Sequence, residues 1–582
     1  MMIKRFISVI TVSIVLIFTS CQNDNNDQQT TDNTNQNNQK TKLVTSNGGV
    51  LNVAETEPIN IIVPFKIKDA PTFRVASQIF EGLVKFDSKE LTVKPAIAES
   101  WEVDDTKTIY TFKIRKGVYF HDDKCFKDGK GREVTANDIK NMVESVCGGS
   151  YPFAFKSTFS GVLKGADKYR EAALNNNPVE LEGIKVVNDY TVQFILEKPF
   201  SNFLKLMGVI YTSIIPQEAI DMYGDKAMVG TGPFKFSSID DKMAVLVRND
   251  NYYLKDKKGK KLPYLDGINI HFIDNKQKQL EMFNEGKIDV LHGLPAESIK
   301  EIVENQISDF QNKPPKYILE TSPEMATNYI EFNCIKKPFN DKNVRLAIAY
   351  AINKNKLVES VLNGEAFGPG NNGIIPPVFK DYDVSKIVGH AYNLAKAKEY
   401  LKKAGYENGK NFPTVVLRTN SKSTENIRVA TEIQKELLTN LNINVELEVS
   451  SLAQKIELNE HGNFDMSLSG WVVDMPSPEN FLWLMYGENV PESLDESSFP
   501  NVSRYQNPEF DQLFKKILSE SDEDKKMELI AKAEQMAIND APVTPLWYNE
   551  KYRIVQSYVQ GLNVNPMDLR DYSEVFIQKE VK

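Results

Sequence analysis

The chain is poor in cysteine and histidine, with only four and five among 582 residues. Cys21 follows an apolar leader, which leaves Cys125, Cys147 and Cys334 for the body of the protein. Their spacing matches no zinc motif, so they form either one disulfide with a thiol left over or separate buried thiols. The histidines (His121, His271, His292, His390 and His461) never pair at metalloprotease spacing, and no nucleophile elbow occurs. Gly230-Thr231-Gly232 lacks the Gly-Lys-Ser/Thr ending of a phosphate loop and runs into Pro233. Basic residues are not in excess. The formal net charge of -9 argues against nucleic-acid binding. There is no internal repeat. These absences leave no catalytic constellation, and neither a cofactor nor a metal is expected.

What is present suits a large exported binding protein. Hydrophobic residues make up 41% and charged residues 26%, ordinary for a globular chain long enough for a sizeable core. Lys4 and Arg5 precede an apolar run from Phe6 to Phe18 that is too short to span a membrane stably. Thr19-Ser20-Cys21 follows. The pattern is that of a bacterial lipoprotein signal cleaved before Cys21, whose thiol takes a lipid. A plain secretory signal with an incidental cysteine is the alternative. Gln22 to Lys42 has no apolar residue and cannot offset its ordering entropy, so a disordered tether is expected.

The most informative stretch is Phe464 to Leu482, FDMSLSGWVVDMPSPENFL. Met466 and Leu468 alternate with Ser467 and Ser469, the period of a half-buried strand. Pro476 and Pro478 end it, so Asp474 is expected just past the strand's C-terminal end, where open α/β sheets bind ligands. A fixed carboxylate beside the Trp471 face suits a cation such as a peptide ammonium; the plainer alternative is that Asp474 caps a turn. Upstream, Pro413–Thr419, a helix from Ser423 or Thr424, and Ile443–Val449 predict a βαβ unit.

GWVVDMPSPENFL resembles family 5 solute-binding proteins, the oligopeptide and dipeptide receptors of ABC importers, on Trp471, Asp474, Pro478 and Phe481. The resemblance implies that Asp474 holds a peptide amino terminus. It is carried further by Pro95–Phe120, by the segments VGTGPFKF, RNDNYY and LPYLDGI, and by Asn328–Ile352, where Asp341 is expected to cap a helix and Arg345 to serve in structural pairing; Thr135 likewise reads as the N-cap of a helix. It extends from about Val50 to the C-terminus, near which Ala541–Tyr548 and Lys551–Val555 are expected as strands that return to the first domain. Glu57–Thr72, with Pro58, Pro64 and Pro71, is expected to be irregular and a helix to follow from about Phe73; the family's similar loop before a helix running into Phe80-Glu81-Gly82-Leu83 implies that Lys68, Asp69 and Ala70 lay backbone against the ligand, with an ordinary surface loop as the alternative. His121, Asp122, Asp123 and Cys125 fall on a hydrophilic turn of the family rather than a metal site. The basic residue that some oligopeptide receptors carry three positions before the tryptophan is Leu468 here, so that anchor is absent.

The expected fold is α/β, of the periplasmic-binding-protein type (class II, cluster C-like), with two hinged lobes and an extra mixed α+β domain. The expected division is 1–20 signal, 21–43 tether, 44–80 first lobe, 81–219 accessory domain, 220–318 first lobe, 319–547 second lobe and 548–582 first-lobe return. The resemblance implies a monomeric, non-enzymatic receptor, lipid-anchored through Cys21 outside the cytoplasm on the periplasmic side or the cell surface. It would capture peptides for an ABC permease. The same receptor fold binding a metal chelate, haem or an oligosaccharide is the alternative, and an exported hydrolase a more distant one.

Overall fold

Two stretches dense in β-branched and aromatic residues form strands far longer than the usual five or six residues. Tyr317–Phe332 and Val543–Gln556 span 16 and 14 residues and pair antiparallel along most of their length. The computed structural model describes residues 43–45, 48–177, 179–295, 298–299, 301–302, 304, 316–363, 366–420 and 424–580. The leader, Cys21, residues 22–42 and the candidate cap Ser423 lie outside the described residues. Among those described, no helix is long and apolar enough to cross a membrane.

The two long strands belong to both halves of one sheet. On one side Val543–Gln556 pairs with the short strand Val290–His292, which leads to Val50–Glu55, Gly267–Phe272, Met243–Arg248 and Phe234–Ile239. On the other, Tyr317–Phe332 pairs with Met466–Val472, followed by Val415–Asn420 and Val445–Ser450. The βαβ unit lies in this second half: Val415–Asn420 and Val445–Ser450 are parallel and joined by the helix Thr424–Leu441. Ala430, Ile433, Leu437 and Leu441 of that helix are buried with Val344, Ala347 and Ile348 of the helix Lys342–Ala351. Asp341 caps the latter by accepting from Asn343 N.

The halves meet at a break in register. Pro323 lies opposite Glu550 and Thr327 opposite Tyr548, so Glu324, Met325 and Ala326 face Asn549 alone. A proline offers no N–H to the ladder, and extra residues on one strand bend it. The freed backbone is held from outside the pair. Met325 N donates to Pro566 O at 2.6 Å, and Val473 N donates to Met325 O at 3.2 Å.

A separate antiparallel sheet runs Ala98–Val103, Ile109–Ile114, Thr191–Ile195, Ile184–Asn188. Its apolar face buries Tyr110, Phe112, Ile114, Val192 and Phe194. The helix Ala136–Cys147 carries the reciprocal Thr135–Asp138 capping box, and Arg132 pairs with Asp138. Through Ser201 and Asn202 this α+β body reaches a buried charge pair between the turn beyond Met466–Val472 and the helix Glu523–Asp540. Lys526 Nζ is 2.5 Å from Glu479 Oε1, with the two side chains 1% and 0% exposed. Asn202 donates to the same carboxylate, and Lys526 also reaches Ser201 Oγ at 3.3 Å.

Several sequence expectations are corrected. Ala541–Tyr548 and Lys551–Val555 fall on one strand, Val543–Gln556, which pairing with Tyr317–Phe332 on both sides of Asn549 keeps extended. The helix expected from Phe73 starts at Ala70, since Asp69 caps it by accepting from Thr72 N. Arg345 is buried, and its structural partners are the carbonyls of Phe339, Asp540 and Ala541, to which it donates. Cys125, Cys147 and Cys334 are all free thiols. Glycine at 230 and 232 reflects close approach: a Cβ would come within 2.1 Å and 2.7 Å of Ile79 O, respectively.

Removing one member of a buried pair strands the other. Glu479→Ala is therefore expected to cost about 3–5 kcal/mol in urea denaturation. A loss under about 1 kcal/mol would mean that Lys526 finds another partner or water.

Candidate functional site

Met466 and Leu468 point into the core of the second half, fixing the strand's faces. Ser467 is buried as well, so the alternation read from the sequence is only half kept. The strand ends at Val472, paired with Ala326 next to the register break. Val473 then ties to Met325, and Asp474 follows at the junction of the two halves. Asn480, on the short helix Pro478–Met485, accepts from Trp471 Nε1 at 2.9 Å and from Asp474 N at 3.3 Å. One amide thus fixes both the indole and the backbone that carries the carboxylate.

The Asp474 carboxyl is partly buried. Burial pushes its pKa up to about 7, although a hydrogen bond from the Tyr211 hydroxyl works the other way. Tyr211 comes from the turn Ile210–Thr212, on the far side of the site. Its own hydroxyl is driven far above the usual range by burial and by the charge of Asp474. Aromatic rings frame the pair: Phe153 packs edge-on against Tyr211 at 5.0 Å and Phe499 at 4.6 Å, and Trp471 lies 6.1 Å from Phe499. Among the described residues, no lysine, arginine or histidine is in ion-pair contact with Asp474.

The site opens into a cleft of about 310 Å³, whose walls include Lys68, Asp69, Ala70, Phe73, Trp471, Asp474, Phe499 and Lys551. Asp474 also borders two smaller cavities. One, of about 80 Å³, lies among Phe73, Phe80, Val84 and Met567; the other, of about 20 Å³, lies among Phe153, Leu206, Met475 and Trp483. Ligand sites of this kind typically fall near 300–1,000 Å³.

The other charges around the cleft are largely matched. Glu55 accepts from Arg74 Nε at 2.9 Å and from Arg570 Nη1 at 2.7 Å. Asp568 faces Arg570 at 3.0 Å, Arg74 at 3.6 Å and Lys551, and Lys551 also lies 3.2 Å from Glu324. Burial raises the Asp568 carboxyl, but Arg570, Lys551 and Arg74 outweigh it and hold the group far below the carboxylate range. Lys68 Nζ lies 2.8 Å from both oxygens of Glu460. Asp69 caps its helix and accepts from Asn60 Nδ2 at 3.3 Å.

The structure therefore brings Asp474, Trp471, Lys68, Asp69 and Ala70 to one cleft, with the Lys68 ammonium committed to Glu460 and the Asp69 carboxylate to a helix cap. Asp474 caps no turn of its own. Tyr211, Asn480, Phe153, Phe499 and Lys551 are residues that sequence reasoning missed, since no local pattern links them to the Trp-x-x-Asp segment. Around the hydrophilic turn, His121 Nε2 lies 2.9 Å from Gly232 O, Asp122 pairs with Lys130, and Asp123 accepts from Cys125 N and Tyr223. Leu468 is in the core, and its carbonyl accepts from Lys455.

A raised carboxyl pKa stabilises the folded state below its unfolded value of 3.8 and loses that contribution as pH climbs through about 7. Unliganded wild type should therefore lose stability relative to Asp474→Asn as pH rises from about 5 to about 8 in urea unfolding. Parallel pH profiles would show that the carboxyl is not perturbed.

A family model described as bacterial extracellular solute-binding proteins, family 5 middle, matches residues 92–492. Di/tripeptide-binding protein 1 of Pseudomonas aeruginosa is 26% identical over 517 residues, covering 87% of this chain and 89% of that one. Heme-binding protein A of Haemophilus influenzae is 26% identical over 516 residues, covering 86% and 88%. The ABC transporter-associated periplasmic binding protein DppA of Helicobacter pylori, solved with the peptide STSA, superposes with a TM-score of 0.76 at 27% identity, covering 92% of this chain and 99% of that one.

Proposed function

The chain belongs to the bacterial extracellular solute-binding proteins of family 5, and on that premise we propose that it captures short peptides for an ABC importer by their free amino terminus. The observation that carries this is the Asp474 carboxylate, set in the cleft with no cation in ion-pair contact among the described residues. An α-ammonium supplies the missing charge and three donors. A charge-assisted hydrogen bond of that kind contributes roughly 1.5–3 kcal/mol. Trp471, Phe499 and Phe153 exclude water from the bond and raise its strength. Lys68, Asp69 and Ala70 form the opposite wall, where an extended backbone would lie.

In this reading the protein is a receptor and not an enzyme. It works as a monomer held outside the cytoplasm by a lipid on Cys21, with residues 22–42 as the tether. The lobes close around the ligand and present it to the permease subunits. The di/tripeptide and STSA relatives support the substrate class. The haem-binding relative keeps a second ligand in view. A porphyrin has no ammonium to meet Asp474, whereas every unblocked peptide has one.

Calorimetry with trialanine tests the proposal. Asp474→Ala should weaken binding roughly ten- to a hundredfold while leaving the unliganded protein folded. N-acetyl-trialanine should bind the wild type as poorly as trialanine binds the variant. Wild-type affinity should fall below about pH 7, as Asp474 protonates, and again above about pH 8, as the ligand amine loses its proton. Equal affinity for free and acetylated peptide would remove Asp474 from the role. Mass spectrometry of co-purified ligand should find peptides; haem there would favour the second ligand.

A further inference from the structure

The cleft does not end at Lys68. Beyond it lies a second, more open chamber of about 520 Å³ between the loop 57–69 and the helix Leu452–Glu460. Lys68 and Asp69 line both chambers, whereas Asp474 borders only the inner one. Between them stands the Lys68–Glu460 pair, which bridges the two walls of the cleft. Its geometry is bidentate, both carboxylate oxygens lying 2.8 Å from Nζ.

The pair is held from the Glu460 side. Ser497 donates to the Glu460 carboxylate, and the Lys68 ammonium sits 5.2 Å from the centre of the Phe499 ring. The Glu460 carbonyl is tied down in turn, accepting from Ser498 N at 3.0 Å and from Arg504 Nη2 at 2.9 Å. The Glu460 side chain is only 5% exposed and that of Lys68 28%, so little water competes for the contact. A ligand that entered both chambers would have to displace a desolvated ion pair, leaving the buried Glu460 carboxylate without its counter-charge.

We propose that the Lys68–Glu460 pair is a crossbar that closes the inner chamber and restricts the ligand to peptides short enough to lie between it and Asp474. This rests on the peptide reading above and adds a length limit to it. Each further residue of an extended peptide adds roughly 3.3–3.6 Å. Growth away from Asp474 soon meets the bar. With the bar removed, the outer chamber is continuous with the inner one and longer peptides gain room and contacts.

Calorimetry on the full mature protein with trialanine and hexaalanine tests this. Wild type should bind trialanine at least about tenfold more tightly than hexaalanine. Lys68→Ala, and the double variant Lys68→Ala with Glu460→Gln that leaves no stranded charge, should bring hexaalanine to within a few-fold of trialanine; the ratio of the two affinities is the readout, whatever each variant does to trialanine binding itself. An unchanged melting temperature without ligand reports that each variant is folded. Equal wild-type affinity for both peptides, or an unaltered length preference in both variants, overturns the crossbar. Loss of both peptides from variants with unchanged melting temperature also overturns it, since Lys68 would then be a direct ligand contact. Wild type that binds neither peptide overturns the peptide reading itself, and the length limit with it.

Discussion

A carboxylate withdrawn from water without a cation opposite it is expensive to keep ionised, and this is the constraint on which the site depends. Asp474 meets it by a pKa near 7 and by a neutral donor, Tyr211. Elsewhere around the cleft acid is matched to base: Glu55 and Asp568 with Arg74 and Arg570, Glu324 with Lys551, Glu460 with Lys68. Such balance costs little to hold but leaves little attraction for a new charge. Asp474 is therefore the place where an arriving ammonium gains most, because it relieves a cost already present in the unliganded protein.

The backbone places that carboxylate at the join between halves. Three residues facing one at the register break cannot keep the ladder intact, and their freed groups are taken up by Val473 and Pro566. The first of these is the residue before Asp474, and the second precedes Met567 and Asp568, which face Asp474 across the cleft. Bending at the bulge therefore acts directly on the two segments that line the site. The fold is the two-lobed α/β type of the periplasmic binding proteins, in which closure about such a join encloses the ligand. The accessory body's Ser201 and Asn202, gripping Lys526 and Glu479, hold the Asp474 turn from a third direction.

Much of this was legible where the signal is local. The alternation of Met466 and Leu468, followed by two prolines, set Asp474 beyond a strand, and the period of Ala430, Ile433 and Leu437 marked the helix of the βαβ unit. Asp341 and Thr135 were readable as caps because capping depends on near neighbours. Long-range partners were not legible. Nothing beside Tyr211 marks it as the donor to Asp474, and nothing near Lys68 points to Glu460. The continuity of Val543–Gln556 past Tyr548 was not legible either, because its partner Tyr317–Phe332 lies more than 200 residues away in sequence. The start of the first helix was misplaced because Pro71 reads as a loop residue, although proline in the first turn is compatible with a helix.

The central claim is that Asp474 is a carboxylate waiting for a cation, and its titration tests that most directly. In carbon-13 NMR of the labelled side-chain carboxyl, unliganded protein should titrate with a midpoint near 7. A saturating peptide with a free amino terminus should move that midpoint down into the ordinary carboxylate range or below, and an N-acetylated peptide should not. A midpoint that already lies near 4 without ligand, or one that peptide leaves unmoved, would contradict the account.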